Sequence, residues 1–138
     1  MSIKEIQEEI IEEFAMFDDW MQKYDYLIEL SKEIPMISNE QRQDENLIKG
    51  CQSKVWLHAC QPKDTVVFKA DSDAIITKGI AALLIRVLSG QTSKDIIEND
   101  MYFIDAIGLK EHLSMTRSNG LVSMIKQMKF YALAFQAQ

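Results

Sequence analysis

Residues 55–70 have the sequence VWLHACQPKDTVVFKA, in which two strand-like segments flank a turn. In residues 55–60, aliphatic side chains alternate with an aromatic ring, an imidazole and a thiol, and this is the period of a strand. Residues 62–64 are typical of a turn, and residues 65–70 are rich in β-branched side chains. We therefore predict an antiparallel hairpin, to which residues 47–48 add a third pairing segment.

Helical periodicity surrounds this hairpin. Before it, apolar residues at helical spacing predict two helices, and the second must end before Pro35 because proline disfavours a helix at its own position and just before it. After it, residues 75–88 form the most apolar helix of the chain. We expect Ser72 or Asp73 to cap the start of this helix, and we expect Gly90 to end it in a left-handed conformation.

The rest of the chain is also helical. Gly79 within the central helix indicates either close approach of a neighbouring backbone or simple tolerance of a glycine. Two short helices are expected at residues 92–98 and 102–107, and a long final helix from about Arg117. Helices that surround a small three-stranded antiparallel sheet, with no strand–helix–strand alternation, indicate an α+β fold. We expect one domain over residues 1–138.

Composition excludes several functional classes. The chain has 138 residues and a formal net charge of −6, which argues against a nucleic-acid surface because such surfaces need clustered cations. No apolar run approaches the roughly 20 residues that span a bilayer, so we expect no membrane association. The first residues are rich in glutamate, unlike a basic targeting peptide. We therefore expect a cytoplasmic protein whose two cysteines are free thiols.

The residue most suggestive of chemistry is Cys51, in the sequence Lys49-Gly50-Cys51-Gln52-Ser53-Lys54. This segment lies between strand-like pieces, so the thiol should be on a connecting loop, where reactive groups are often placed. Nearby lysines favour the thiolate, which is the reactive form. The alternative is that Cys51 is a small apolar side chain that fills a gap beside a turn. The residues alone leave both interpretations open.

Four segments resemble those of SufE/CsdE-type sulfur acceptors. The run IKGCQSKVW at residues 48–56 is similar to the segment around the family's sulfur-accepting cysteine. ADSDAIITKGI at residues 70–80 resembles the entry to its central helix, and LSMTRSNGL at 113–121 resembles the opening of its last helix. YDYLI at residues 24–28 also fits the family. The chain departs from the family at Met115, where a proline is usual.

The resemblance implies a function in iron–sulfur metabolism. Cys51 would accept the terminal sulfur of a persulfide from a cysteine desulfurase of the SufS/CsdA type and pass it to an iron–sulfur assembly scaffold. The pyridoxal phosphate belongs to that desulfurase, so we expect no cofactor in this chain, which would act as a carrier and activator and not as an enzyme. The implied fold is the one shared with IscU-type scaffolds, and the implied state is a monomer or a weak homodimer.

Other candidate residues would support the Cys51 loop or bind the partner: Gly50, Gln52, Ser53, Asp71, Asp73 and Arg117. Each has a simpler interpretation as well. The two aspartates, with Ser72 between them, have the composition of a helix cap. Arg117 would contact the Cys51 loop or the desulfurase, or else would be solvated or paired with one of the aspartates.

A metal site is not expected. The cysteine and histidine ligands available are Cys51, His58, Cys60 and His112, and their spacing matches no zinc motif. Two further functions remain possible alternatives at this stage: an adaptor that activates the desulfurase without carrying sulfur, and a scaffold that holds a nascent cluster. Cys60, on a predicted strand, is interpreted as a packed thiol.

Overall fold

A computed structural model describes residues 1–49 and 53–137. In these residues the elements are α1 (Ile3–Ala15), α2 (Trp20–Ser31), β1 (Val55–Cys60), β2 (Thr65–Ser72), α3 (Ile75–Leu88), β3 (Gln91–Thr92), α4 (Ser93–Glu98), α5 (Phe103–Ala106) and α6 (Met115–Gln136). Short 3₁₀ turns lie at Asn39–Gln41, Asp44–Asn46 and Lys110–His112. The predicted α+β class and antiparallel three-stranded sheet are confirmed.

The sheet has the strand order β1-β2-β3. The hairpin runs from the pair Val55–Ser72 to the pair Cys60–Val67, so β2 extends two residues beyond its predicted end. The predicted pairing segment at residues 47–48 does pair with β1, but only through an isolated antiparallel bridge between Leu47 and Trp56, so it is not the third strand of the sheet. Residues 91–92 form that strand, because the chain leaves α3 through Gly90, whose φ of +85° turns it back along β2.

Helix α3 is the central element, as its apolar sequence predicts. It packs against α2, β2, α1 and α6, and Ile80, Leu84 and Leu88 are almost completely buried. Gly79 allows the close contact with α2, because a Cβ there would lie 2.3 Å from the carbonyl oxygen of Leu27. Of the two explanations for this glycine, close backbone approach is therefore the correct one.

Local sequence determines most helix starts. The Ser2 hydroxyl accepts the Glu5 amide, and the Glu5 carboxylate accepts the Ser2 amide, so two amides at the start of α1 are satisfied reciprocally. Asp19 caps α2 through the amide of Gln22. Helix α6 begins two residues earlier than expected, capped by Ser114. Met115 is thus its first residue, the position where proline is best tolerated.

The predicted cap of α3 was wrong. The cap residue is Ala74, whose methyl side chain has no oxygen to accept a helix amide. The two expected caps make other bonds, because the Ser72 hydroxyl and the Asp73 carboxylate both contact Lys54. The Ser72 and Asp73 side chains therefore bond Lys54 and do not cap α3.

No helix within residues 1–49 and 53–137 is both long enough and apolar enough to cross a membrane. Their buried side chains form a single cluster that includes residues of α1, α2, β1, β2, α3 and α6. This shared core fixes the hairpin against the helices, so the end of the hairpin nearest Val55 is attached to a rigid base.

Candidate functional site

Cys51, Gly50 and Gln52, the centre of the sequence-based site, lie outside the described residues. The site is therefore built from the two chain ends that lead into this segment. Lys49 is exposed on one side, and Ser53 is half-buried on the other. Their neighbours in the chain make specific contacts with the hairpin and with α3, and these contacts determine where the segment begins and ends.

The upstream end is fixed by backbone pairing. Leu47 lies opposite Trp56, and the Ile48 amide donates to the Val55 carbonyl at 2.9 Å. Ile48 and Val55 are both buried and line a small apolar void together with side chains of α3 and α6. The chain therefore leaves an apolar, paired base at Ile48 and returns to the same base at Val55.

The downstream end is fixed at Lys54 by the last residue of β2, Ser72, and by the residue that follows it, Asp73. The Lys54 amide donates to the Asp73 carboxylate at 3.0 Å. Its carbonyl accepts from the Asp73 amide at 3.2 Å and from the Ser72 hydroxyl at 2.8 Å. Both polar groups of the Lys54 backbone are thus bonded. Because Val55 and Ser72 are the last ladder pair, these bonds extend the hairpin by one residue, through one backbone bond and two side-chain bonds.

Asp71 connects this end of the hairpin to α3 and to the preceding loop. Its carboxylate pairs with Lys78 at 3.2 Å and with Arg42, and it accepts the Ser72 amide at 2.8 Å. Burial alone would raise the pKa of the Asp71 carboxyl, but the Ser72 amide and the two cations outweigh burial and lower the pKa below its ordinary value. Asp71 is therefore a charged, buried support next to Ser72.

The structure brings together only some of the predicted site residues. Asp73 contacts Lys54 at the downstream end of the Cys51 segment, and Asp71 lies two residues before Asp73, bonded to Ser72. Arg117 is exposed in the first turn of α6, where its amide donates to the Ser114 hydroxyl. The alternative of an ion pair between Arg117 and Asp71 or Asp73 is not observed among the described residues, and the Asp71 carboxylate pairs with Arg42 and Lys78 instead. A contact of Arg117 with the Cys51 loop or with a partner stays a prediction.

The second cysteine lies on the hairpin. Cys60 is a free, half-buried thiol at the end of β1, and it shares a face of that strand with Trp56 and His58, which are also half-buried. Among residues 1–49 and 53–137, no group of three cysteine, histidine or carboxylate side chains is placed to hold a metal ion. Cys60 is thus part of the sheet.

Two supporting residues could not be found from the sequence. Arg42 lies in a polar stretch with no periodicity, and Lys78 lies on a helix whose apolar residues dominate its pattern. Lys78 is 22% exposed, and only the tertiary structure shows that it lies against the end of β2. The one available signal was the pair of aspartates on either side of Ser72, which indicated a polar cluster but not its partners.

Comparison with known proteins identifies the family. The model of the SufE domain, described as an Fe–S metabolism associated domain, matches residues 8–132. This chain belongs to the SufE family. The match spans Cys51, both anchoring ends and the central helix, so the site lies within the shared domain. Membership associates the chain with iron–sulfur metabolism.

SufE-like relatives cover most of the chain. A SufE-like protein of Rhizobium etli is 41% identical over 127 residues, which are 88% of this chain and 86% of the relative. One of Rhizobium meliloti is 40% identical over 88% of this chain and 91% of its own length. The SufE-like protein 1 of Arabidopsis thaliana, named chloroplastic/mitochondrial, is 35% identical over 95% of this chain but only 36% of its own length.

A solved structure has the same SufE-like fold. The solution structure of a hypothetical protein from Thermus thermophilus matches with a TM-score of 0.80 and covers 96% of this chain and 97% of its own. The two are 18% identical in sequence, so this likeness establishes the fold alone. The predicted architecture is confirmed by it.

Proposed function

We propose that this SufE-family protein accepts persulfide sulfur on Cys51 from a pyridoxal-phosphate cysteine desulfurase, stimulates that enzyme and passes the sulfur to an iron–sulfur assembly scaffold. The observation that carries the proposal is the match of the SufE domain across residues 8–132, which includes a cysteine in a segment anchored at both ends. We propose that it works in the cytoplasm as a monomer or a weak homodimer, without a cofactor of its own.

The chemistry is thiol–persulfide exchange. The Cys51 thiolate attacks the outer sulfur of the persulfide on the desulfurase, a new S–S bond forms, and the desulfurase cysteine leaves as a thiolate. The S–S bond of the donor persulfide breaks as the new one forms, one thiolate is consumed and one is released, and there is no net oxidation or reduction. Transfer to the scaffold repeats the exchange, with Cys51 as the leaving group.

The described residues support this role by holding the two ends of the segment. The Ile48–Val55 bond and the three Lys54 bonds fix the segment ends on a rigid base. A short connection between fixed ends samples fewer conformations than a free loop, so less entropy is lost when a partner engages it. Lys49 and Lys54 are exposed and add positive charge next to the segment, which favours a thiolate.

The test is to incubate the protein with a cysteine desulfurase and cysteine and then to map persulfides by mass spectrometry after alkylation. We expect an added sulfur on Cys51 and stimulated turnover. Cys60→Ser is the matched control, since it removes the other thiol of the chain and should retain both signals. Cys51→Ser should lose both.

Two results would contradict the proposal in different ways. If Cys51→Ser still stimulates the desulfurase fully, the protein is an adaptor that does not carry sulfur. If anaerobic reconstitution with iron and sulfide gives a stable visible chromophore that requires Cys51, the protein is a scaffold.

A further inference from the structure

A groove of about 670 Å³ lies where α1 leads into α2, and we call it the α1–α2 groove. Two methionines lie beside it: Met16, 74% exposed, precedes Phe17 in the chain, and Met21, 70% exposed, is one turn before Asp25 on α2. Exposed apolar surface with a polar rim is typical of a site for another protein chain, and methionine side chains adapt to what packs on them. The groove is lined by Phe17, Gln22, Asp25, Tyr26, Ile28 and Glu29.

The floor of the groove is aromatic and held in place. The ring centroids of Phe17 and Tyr26 are 5.2 Å apart, and both rings pack on Phe14, which is 1% exposed. The Tyr26 hydroxyl donates to the Glu13 carboxylate, which also accepts from Arg86 at 2.8 Å. Because these bonds already fix the rings, a partner that packs on them restricts little side-chain freedom.

The rim of the groove is acidic. Asp25 and Glu29 are exposed and one turn apart on α2. Glu29 pairs with Lys32 at 3.2 Å on the surface, whereas Asp25 has no ion pair among residues 1–49 and 53–137. Residues 1–34 as a whole carry ten carboxylates and three lysines, a net charge of −7. The groove therefore favours a partner surface that is apolar and cationic.

The second half of α6 has these two properties. Phe130 is 62% exposed and Leu133 is 51% exposed, and the exposed Lys126 lies one turn before Phe130, so the three side chains share a helix face. We call them the α6 stripe. Residues 115–136 contain three cations and no carboxylate. Single exposed apolar side chains are ordinary, but an apolar helix face beside a cation suits an apolar groove with an acidic rim.

The distribution of charge decides which surfaces meet. Packing two α1–α2 grooves together would oppose carboxylates, and packing two α6 stripes together would oppose lysines, so each surface repels its own copy. Only the stripe of one molecule against the groove of another opposes unlike charges.

We propose that the α6 stripe of one copy packs in the α1–α2 groove of a second copy, with Phe130 on the aromatic floor and Lys126 at Asp25. This contact is head-to-tail, because each copy contributes a different surface. It is weak, because the two surfaces are small beside the interfaces of at least about 1,200 Å² that stable complexes bury. The inference goes beyond sulfur transfer, since it requires neither a persulfide nor the Cys51 segment.

Self-association is measured by sedimentation equilibrium of the full chain, with a thiol reductant, at concentrations up to about 1 mM, which is the range of weak contacts. We expect the weight-average mass to rise above the 15.9 kDa of one chain and to fall again when salt screens the charges. Amide resonances should shift with concentration at residues 16–29 and at residues 126–134 together. Cys51→Ser should associate like the wild type, so association and sulfur loading are measured separately.

Charge reversal tests the pairing itself. Asp25→Lys and Lys126→Glu should each associate about fivefold more weakly than the wild type, the effect of one exposed charge pair. An equal mixture of the two should recover wild-type affinity, because the first variant keeps an intact stripe and the second an intact groove. The matched controls are Glu98→Lys and Lys94→Glu, the same charge changes on exposed positions of α4, which should associate like the wild type.

Phe130→Ser tests the apolar part of the contact. Because Phe130 is exposed in the single copy, its urea denaturation midpoint should match that of the wild type. We expect its self-association to weaken about tenfold, since the serine has no ring to bury in the groove.

Three results would overturn the proposal. The first is a wild type that stays monomeric at every concentration, and if a synthetic peptide of residues 115–137 then shifts residues 16–29, the groove receives a basic helix of another protein. The second is a set of concentration-dependent shifts confined to one of the two surfaces, which means that this surface meets its own copy. The third is a mixture of Asp25→Lys and Lys126→Glu that associates no better than either variant alone.

Discussion

The two ends of α3 are held by similar ion pairs in different surroundings. Near its start, Lys78 pairs with Asp71 at the end of β2. In its last turn, Arg86 donates to Glu13 of α1 at 2.8 Å and to Glu9 at 2.9 Å. An arginine at a helix C-terminus is favoured by the helix dipole, whereas a lysine near the N-terminus is disfavoured. Asp71 offsets the unfavourable lysine.

The difference lies in what each pair connects. Arg86 joins two helices through carboxylates on α1, and none of these residues is near the Cys51 segment along the chain. Lys78 joins α3 to a strand end whose next residues, Ser72 and Asp73, hold Lys54. We therefore expect the same interaction to stabilise the fold at one end and to position the segment of the proposed sulfur acceptor at the other. Substitutions along this helix should separate the two roles.

The largest effect is expected between the two ends, at Gly79. In Gly79→Ala the new Cβ would lie 2.3 Å from the Leu27 carbonyl oxygen and 2.9 Å from its carbon, so α2 and α3 must separate. We expect a loss of about 3 kcal/mol in the free energy of unfolding, measured by urea denaturation. The sign of this change is itself the control, because a glycine-to-alanine substitution in a helix without such a contact raises the free energy of unfolding by about 1 kcal/mol.

Arg86→Met should have the next largest effect. It removes the bonds to Glu9 and Glu13 but keeps an apolar stem, and we expect a loss of about 2 kcal/mol. Bonding to Arg86 lowers the pKa of Glu13, against the effect of burial and with help from Tyr26. Because the pKa of Glu13 is lowered in the folded protein, its interaction with Arg86 stabilises the fold fully at pH values above the ordinary carboxyl pKa. The stability lost in Arg86→Met should therefore shrink as the pH falls through the lowered pKa of Glu13.

Sulfur loading of Cys51 is the second measurement on this variant. The folded fraction of Arg86→Met should load at the wild-type rate, because this end of α3 does not contact the hairpin residues that hold Lys54. A clear decrease in loading, with the fold intact, would show that the two ends of the helix are coupled.

Local sequence patterns predicted the elements of this fold but not the third strand. The hairpin, the apolar central helix and the glycine that ends it follow from periodicity and backbone preference. The strand at residues 91–92 has only two residues, too few for a periodic signal. Its position depends on where Gly90 turns the chain and on β2 lying alongside, which are tertiary facts.

The site was predictable only in part for a similar reason. Asp71 and Asp73 could be identified as a polar group before the helix, but capping preference assigned them to the wrong partner. Their real partners, Arg42, Lys54 and Lys78, are separated from them by between 7 and 29 positions in the chain. Neither spacing nor composition indicates which of several exposed cations will approach a given carboxylate.

Asp71→Asn tests the other end of α3. The asparagine keeps the shape of the side chain but not its charge, and Arg42 and Lys78 are left without a carboxylate partner. We therefore expect the free energy of unfolding to fall by about 1.5 kcal/mol at pH 7. The wild-type pKa is lowered, so the stabilisation is complete above about pH 4 and decreases as the pH falls through the lowered value. Denaturation at pH 7 and at acid pH should therefore show a difference that disappears in acid.

The reactivity of Cys51 distinguishes this variant from Arg86→Met. If the start of α3 positions the Cys51 segment, site-resolved alkylation should show a changed rate at Cys51 in Asp71→Asn and an unchanged rate at Cys60. Equal rates at Cys51 in the wild type and in both variants would remove the proposed difference between the two ends.

The smallest stability effect, and the most local one, is expected at Asp73. Asp73→Ala removes the acceptor for the Lys54 amide but leaves its own backbone bond to the Lys54 carbonyl, so we expect a loss of about 0.5 kcal/mol. Asp73→Asn is the matched control, because its side-chain oxygen can still accept that amide. Alkylation of Cys51 should accelerate in Asp73→Ala and not in Asp73→Asn, since only the first frees the downstream end. If both variants accelerate equally, the negative charge and not the hydrogen bond controls the thiol, and the comparison of the two helix ends becomes one of local charge.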